Sequence, residues 1–188
     1  MRQRSLPAKE LSDRLAKFVG KRTLTSNVMN FNSRKTVQNR RSRNGKILVI
    51  EDNADHWVFI QNAMQQCFRE VEPVWVNNGA EALTYLEECS DTGGALPQLL
   101  LLDLYVPNRE DGWNILQEVK NRPGPIGRLP VVLFSSSADF DDVMESYRRG
   151  VNSYVVKPVS FDEWLNYFKT LKDYWWEAVS LPATNCFY

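Results

Sequence analysis

This 188-residue chain predicts an α/β fold, with five parallel strands in one doubly wound sheet and helices on both faces. Three observations carry that prediction. Short, continuously apolar, β-branched runs recur five times, as strands covered on both faces require. A stretch with helical spacing of apolar residues follows each run. Four of the runs end in acidic, hydroxyl or basic residues, which parallel strands would bring to one rim.

The elements follow in chain order. KILVIEDN opens the sheet and ends in Glu51 and Asp52, and Ala54 to Phe68 has the spacing of its crossover helix. PVWVNN (Pro73 to Asn78) is the second strand, followed by a helix over Gly79 to Glu88. QLLLLDLYVP (Gln98 to Pro107) is the third, with Asp103 after four leucines, and Asp111 to Asn121 is its helix. LPVVLFSSS (Leu129 to Ser137) brings Ser135, and a helix over Phe140 to Arg149 follows. NSYVVKP (Asn152 to Pro158) brings Lys157, and a last helix runs from Phe161 to about Val179.

Charge divides the chain. Of its 23 basic and 23 acidic residues, Met1–Asn44 holds 12 basic and 2 acidic, which leaves 11 and 21 for the remainder. A basic extension (1–44) therefore precedes an acidic domain (45–180) and a short tail (181–188). In the extension, LSDRLAKFVGKR places Leu11, Leu15, Phe18 and Val19 on one helical face. A transit peptide, a membrane-surface or nucleic-acid contact and a kinase-docking arm all compete there. NSRKTVQNRRSRNGK lacks periodicity and interleaved aromatics, which favours a solvated, disordered extension. Cys67, Cys89 and Cys186 form neither a C-x-x-C motif nor a pairing framework, so a reducing, cytoplasmic setting is expected. No apolar run reaches the roughly 20 residues of a membrane span.

IEDN, LLLLDLYVP, LPVVLFSSS and GVNSYVVKP together resemble the receiver domain of two-component response regulators, over about Lys46 to Leu171. The specificity lies in the order: acid pair, aspartate, hydroxyl, Lys-Pro, each at a strand end. ESYRRGVNSYVVKPVSFDEW followed by LKDYWW looks like the stand-alone regulators that partner phytochrome-type histidine kinases. The resemblance implies a flavodoxin-like strand order, 2-1-3-4-5. It also implies that Asp103 accepts a phosphoryl group from a phosphohistidine. Three converging carboxylates repel unless a cation joins them, and Mg²⁺ (or Mn²⁺) suits an oxygen set of this kind. By resemblance, Asp52 and Asp103 bind the ion directly, Glu51 binds through water, and the Tyr105 carbonyl completes the set. Lys157 then offsets charge on the transferring oxygens, Ser135 takes a phosphoryl oxygen, and Tyr154 is the aromatic that follows Ser135 as a switch.

Duller readings stand beside these. Glu51, Asp52 and Asp55 are also what a helix start favours, Ser135 to Ser137 suit a turn, and Tyr154 fits a half-buried strand. His56, the single histidine, is expected on an exposed helix turn with no role. PNREDG makes the loop after Asp103 one residue longer than the family's commonest pattern. In the last helix one core stripe, at 161, 164 or 165, 168 and 171 or 172, cannot absorb every aromatic. Trp164, Tyr167, Tyr174 and Trp175 are therefore expected to mark a partner surface, and the resemblance implies a homodimer through the face built from the fourth helix, fifth strand and fifth helix; the rival is that Tyr174 to Trp176 fold back over the domain. LPATNCFY is too short for a DNA-binding module, so protein contact is the expected output, without direct nucleic-acid binding. A degenerate receiver serving as a docking module and an aspartate-nucleophile phosphatase are the rival functions. Tyr105 stands where the phosphatase would need a second aspartate.

Overall fold

The computed structural model describes residues 45–181. The basic extension and most of the C-terminal tail lie outside the described residues. The sheet is built from β1 (Gly45–Ile50), β2 (Val71–Val76), β3 (Leu99–Asp103), β4 (Val131–Ser135) and β5 (Ser153–Val156). All pair in parallel, in the order β2-β1-β3-β4-β5. The crossovers carry α1 (Ala54–Cys67), α2 (Gly79–Asp91), α3 (Arg109–Asn121) and α4 (Phe140–Arg148), and α5 (Phe161–Lys172) follows β5.

Strand alternation sorts the core into two layers. Ile47, Val49, Leu99, Leu101, Val132 and Phe134 pack with Ile60 and Met64 of α1 and Trp164, Phe168 and Leu171 of α5. Leu48, Ile50, Leu100, Leu102 and Leu133 face the other way, onto Leu86 of α2 and Trp113, Leu116 and Val119 of α3. Each fully buried side chain of this size stabilises the fold by roughly 1.5–3 kcal/mol relative to exposure.

Three of the boundaries that depart from the sequence reading have a clear local cause. β2 begins at Val71, two residues before Pro73, because β2 is an edge strand and an edge accommodates a residue without an N–H. α3 starts at Arg109, capped by the Asn108 side chain on the Asp111 N–H. The last helix is α only to Lys172, and Asp173–Ala178 then forms a π-helical turn closed by Val179 N–H donating to the Tyr174 carbonyl at 3.0 Å.

That turn changes the assignment of the aromatics. Trp164 is not an interface residue: it is 1 % exposed and stacks on Phe134 and Phe168. Tyr167 is half-buried, edge-on to the same two rings. Trp176 turns inward onto Phe68, while Tyr174 remains exposed. Besides Tyr174, this quarter exposes Phe140, Met144 and Tyr147 on α4, Val156 on β5 and Val159 just beyond it.

Candidate functional site

Register places the chemistry. Ile50 pairs with Leu102, Asp103 with Phe134, and Ser135 with Val156, so β1, β3, β4 and β5 reach one rim together. The Lys157 N–H donates to the Ser135 carbonyl at 2.7 Å, and the Leu104 N–H to the Phe134 carbonyl at 2.8 Å, which carries the pairing one step past the strands. Glu51 and Lys157 thus emerge beside Asp103.

The Lys157 ammonium is the hub. It donates to Asp103 Oδ2 at 2.7 Å and to Glu51 Oε2 and Oε1 at 2.7 and 3.0 Å. Side-chain exposures are 6 % for Lys157, 4 % for Asp103 and 2 % for Glu51, so three charges meet almost out of water. Burial pushes the Glu51 carboxyl above the usual carboxylate range. Lys157 pulls it back, and the neighbouring charge of Asp103 pushes it up again. One ammonium facing two buried carboxylates leaves a deficit of positive charge, which a divalent cation would fill.

The other expected residues are placed as follows. Asp52 is exposed at the exit of β1, beside the buried group and not within it. The Tyr105 N–H donates to Asp103 Oδ1 at 3.1 Å and its hydroxyl to Asp142 Oδ2 at 3.4 Å. Ser135 is fully buried, and its Oγ accepts from the Ser137 N–H at 3.0 Å. Tyr154 is half-buried against the α2–α3 layer and donates to the Ser137 carbonyl at 2.8 Å, tying β5 to the loop after Ser135. Gly112 lies so near that loop's neighbour that a Cβ would come within 2.0 Å of the Leu104 carbonyl oxygen, so only glycine lets α3 approach the end of β3.

His56, expected on an exposed helix turn, lies instead against the buried group. It is half-buried, and its Nδ1 lies 2.8 Å from Glu51 Oε1 and 3.0 Å from Lys157 Nζ. One ligand atom from each of Glu51, His56 and Asp103 falls within 4.8 Å of the others, a group able to hold a metal ion. The signal was available: side chains of a helix's first turn lean toward its N-terminus, which here is the end of β1. Trp75 was missed as well. Its indole N–H donates to the Glu51 carbonyl at 2.8 Å, and its ring stacks on Trp57 at 5.3 Å.

Comparison with known proteins now decides the family. Residues 47–169 match the response regulator receiver domain. The chain belongs to that family. It is 34% identical over 139 residues to the probable methanogenesis regulatory protein FilR2 of Methanothrix harundinacea, covering 73% of this chain and 88% of the relative. It is 30% identical to response regulator Rcp1 of Synechocystis, covering 73% and 92%. Among solved structures, the phosphorylated cyanobacterial phytochrome response regulator RcpA superposes with a TM-score of 0.66 at 33% identity, covering 74% of this chain and 99% of RcpA. The Mn²⁺-bound form of Rcp1 gives 0.64 at 30%, with the same coverage. Among the described residues no helix is long and apolar enough to cross a membrane.

Proposed function

We propose that this receiver is the phosphoacceptor of a two-component relay and that Asp103 carries the phosphoryl group. One observation supports the assignment above others: a buried ammonium sits 2.7 Å from the carboxylate of Asp103, ready to meet phosphoryl oxygens. Asp103 attacks phosphorus, a P–O bond forms as the P–N bond of the donor phosphohistidine breaks, and the leaving imidazole takes up a proton. Lys157 turns from the carboxylate to the incoming oxygens as a point charge. Ser135, whose Oγ accepts from the Ser137 N–H, donates its hydroxyl proton to a phosphoryl oxygen, and Tyr154, bonded to the Ser137 carbonyl, moves with that loop.

Glu51, Asp52, Asp103 and the carbonyl of Tyr105 would hold Mg²⁺ or Mn²⁺. The donor set fits, since oxygen-rich and acidic surroundings suit a hard cation. When bound, the ion neutralises charge on the transferring oxygens. Similarity to RcpA supports a histidine kinase of the phytochrome type as donor. We place the protein in the cytoplasm, acting through protein contacts and not as an enzyme on other substrates. A homodimer would use the α4–β5–α5 face, with Phe140, Met144, Tyr147 and Val156 in place of Trp164.

The test incubates wild type and Asp103→Asn with Mg²⁺ and a small acyl phosphate, then reads intact mass, Trp emission and size-exclusion profile. Wild type should gain one phosphoryl group and shift in emission, and the variant should do neither. An unmodified wild type would instead make the protein a docking module.

A further inference from the structure

The phosphoryl transfer described above gives His56 no task, yet its position is fixed from two sides. The Asn53 side chain caps α1 by accepting from the backbone N–H groups of Asp55 and His56, at 2.9 and 3.2 Å. Glu51 and Lys157 then bracket Nδ1 at 2.8 and 3.0 Å.

Neither tautomer suits both neighbours. With its proton on Nδ1 the ring donates to Glu51, but it turns an N–H toward an ammonium. With the proton on Nε2 the Nδ1 lone pair accepts from Lys157, but it faces a carboxylate oxygen. A metal ion taking Nδ1 and the Glu51 oxygen together removes the conflict, because both lone pairs would then point at positive charge. The convergence of Glu51, His56 and Asp103 within 4.8 Å supplies such a point. In this structure the cation meeting all three side chains is the Lys157 ammonium.

We propose that Nδ1 of His56 is a metal ligand, so that this site offers one nitrogen beside its oxygens and prefers first-row transition ions to Mg²⁺. The inference rests on the metal-dependent function proposed above. Mg²⁺ takes oxygen ligands and keeps its waters, whereas imidazole raises affinity along the series from Mn²⁺ to Cu²⁺.

The whole chain, His56→Gln and His56→Ala are titrated separately with Mg²⁺ and Co²⁺. Tryptophan emission, to which the Trp57–Trp75 pair beside the site contributes, follows binding, and circular dichroism checks the fold. Wild type should prefer Co²⁺, and both variants should lose about tenfold or more in Co²⁺ affinity while Mg²⁺ affinity moves less than about threefold. Spin-echo EPR of Mn²⁺ bound to wild type should show ¹⁴N modulation, a readout that needs no variant to fold. Wild-type Mn²⁺ without that modulation, or an unchanged Co²⁺ to Mg²⁺ ratio in folded variants, overturns the assignment of His56 alone. A wild type that binds neither ion overturns the metal-dependent function with it.

Discussion

Replacing Lys157 with Met keeps an unbranched stem and removes the charge shared by two buried carboxylates. Glu51 and Asp103 are each 2.7 Å from that ammonium, and all three side chains are at most 6 % exposed. Stripping one partner from a buried ion pair leaves an uncompensated charge, at a cost of about 3–5 kcal/mol. That is a large fraction of the roughly 5–15 kcal/mol that holds a typical domain folded. The variant relieves itself by protonation. Burial already holds Glu51 above its ordinary value of 4.5, against the pull of Lys157, and losing that pull raises it further. A carboxyl raised on folding binds more protons in the folded state than in the unfolded one. Its contribution to stability therefore falls as pH rises above 4.5 through the folded value, and returns on acidification. Urea unfolding of wild type and Lys157→Met in chelator, at mildly acidic and mildly alkaline pH, should show the full loss at the alkaline end and partial recovery at the acidic end. Mg²⁺ at 100 times its Kd should return about 2.7 kcal/mol. A loss below about 1 kcal/mol in chelator at alkaline pH, the range of an exposed pair, would refute the compensation argument.

Three further outcomes are expected. The Glu163 carboxylate accepts from the backbone N–H groups of Ser160 and Val159, which hold it below the usual carboxylate range, so the stability it gives is complete above 4.5 and is lost as pH falls through the depressed value. Protection of the Val159 and Ser160 amides, judged from the exchange rate relative to the intrinsic rate at each pH, should fall over that window in wild type and stay constant in Glu163→Gln. Gly112→Ala drives a methyl group against the Leu104 carbonyl and should cost about 1–3 kcal/mol in chemical unfolding. Trp164→Ala should cost about 3–5 kcal/mol, whereas Tyr174→Ala should stay within about 0.5 kcal/mol, measured by the same unfolding curves.

The sheet was legible because buried parallel strands leave a run such as Leu99 to Leu102 little choice but to be apolar throughout. The rim was legible because Asp103, Ser135 and Lys157 each follow such a run, and register alone then aligns them. Elsewhere tertiary effects prevailed. Pro73 looks like a strand opener until the sheet order makes β2 an edge. His56 looks like a surface residue until α1 is seen leaning over Glu51. The last aromatics exceeded one helical stripe, but a π turn, invisible to a 3.6-residue period, brings Trp176 back to the core five residues after Leu171.

Asp142 offers a different kind of consequence. It is 3 % exposed in the first turn of α4, and it is paired with the Arg109 guanidinium from the start of α3 and bonded to the Tyr105 hydroxyl from the segment after Asp103. Three stretches of chain are riveted to a single anion. A displacement beginning at any one of them must drag the other two along or shear a charged contact, so the α3 end, the α4 end and the Tyr105 segment behave as one mechanical linkage.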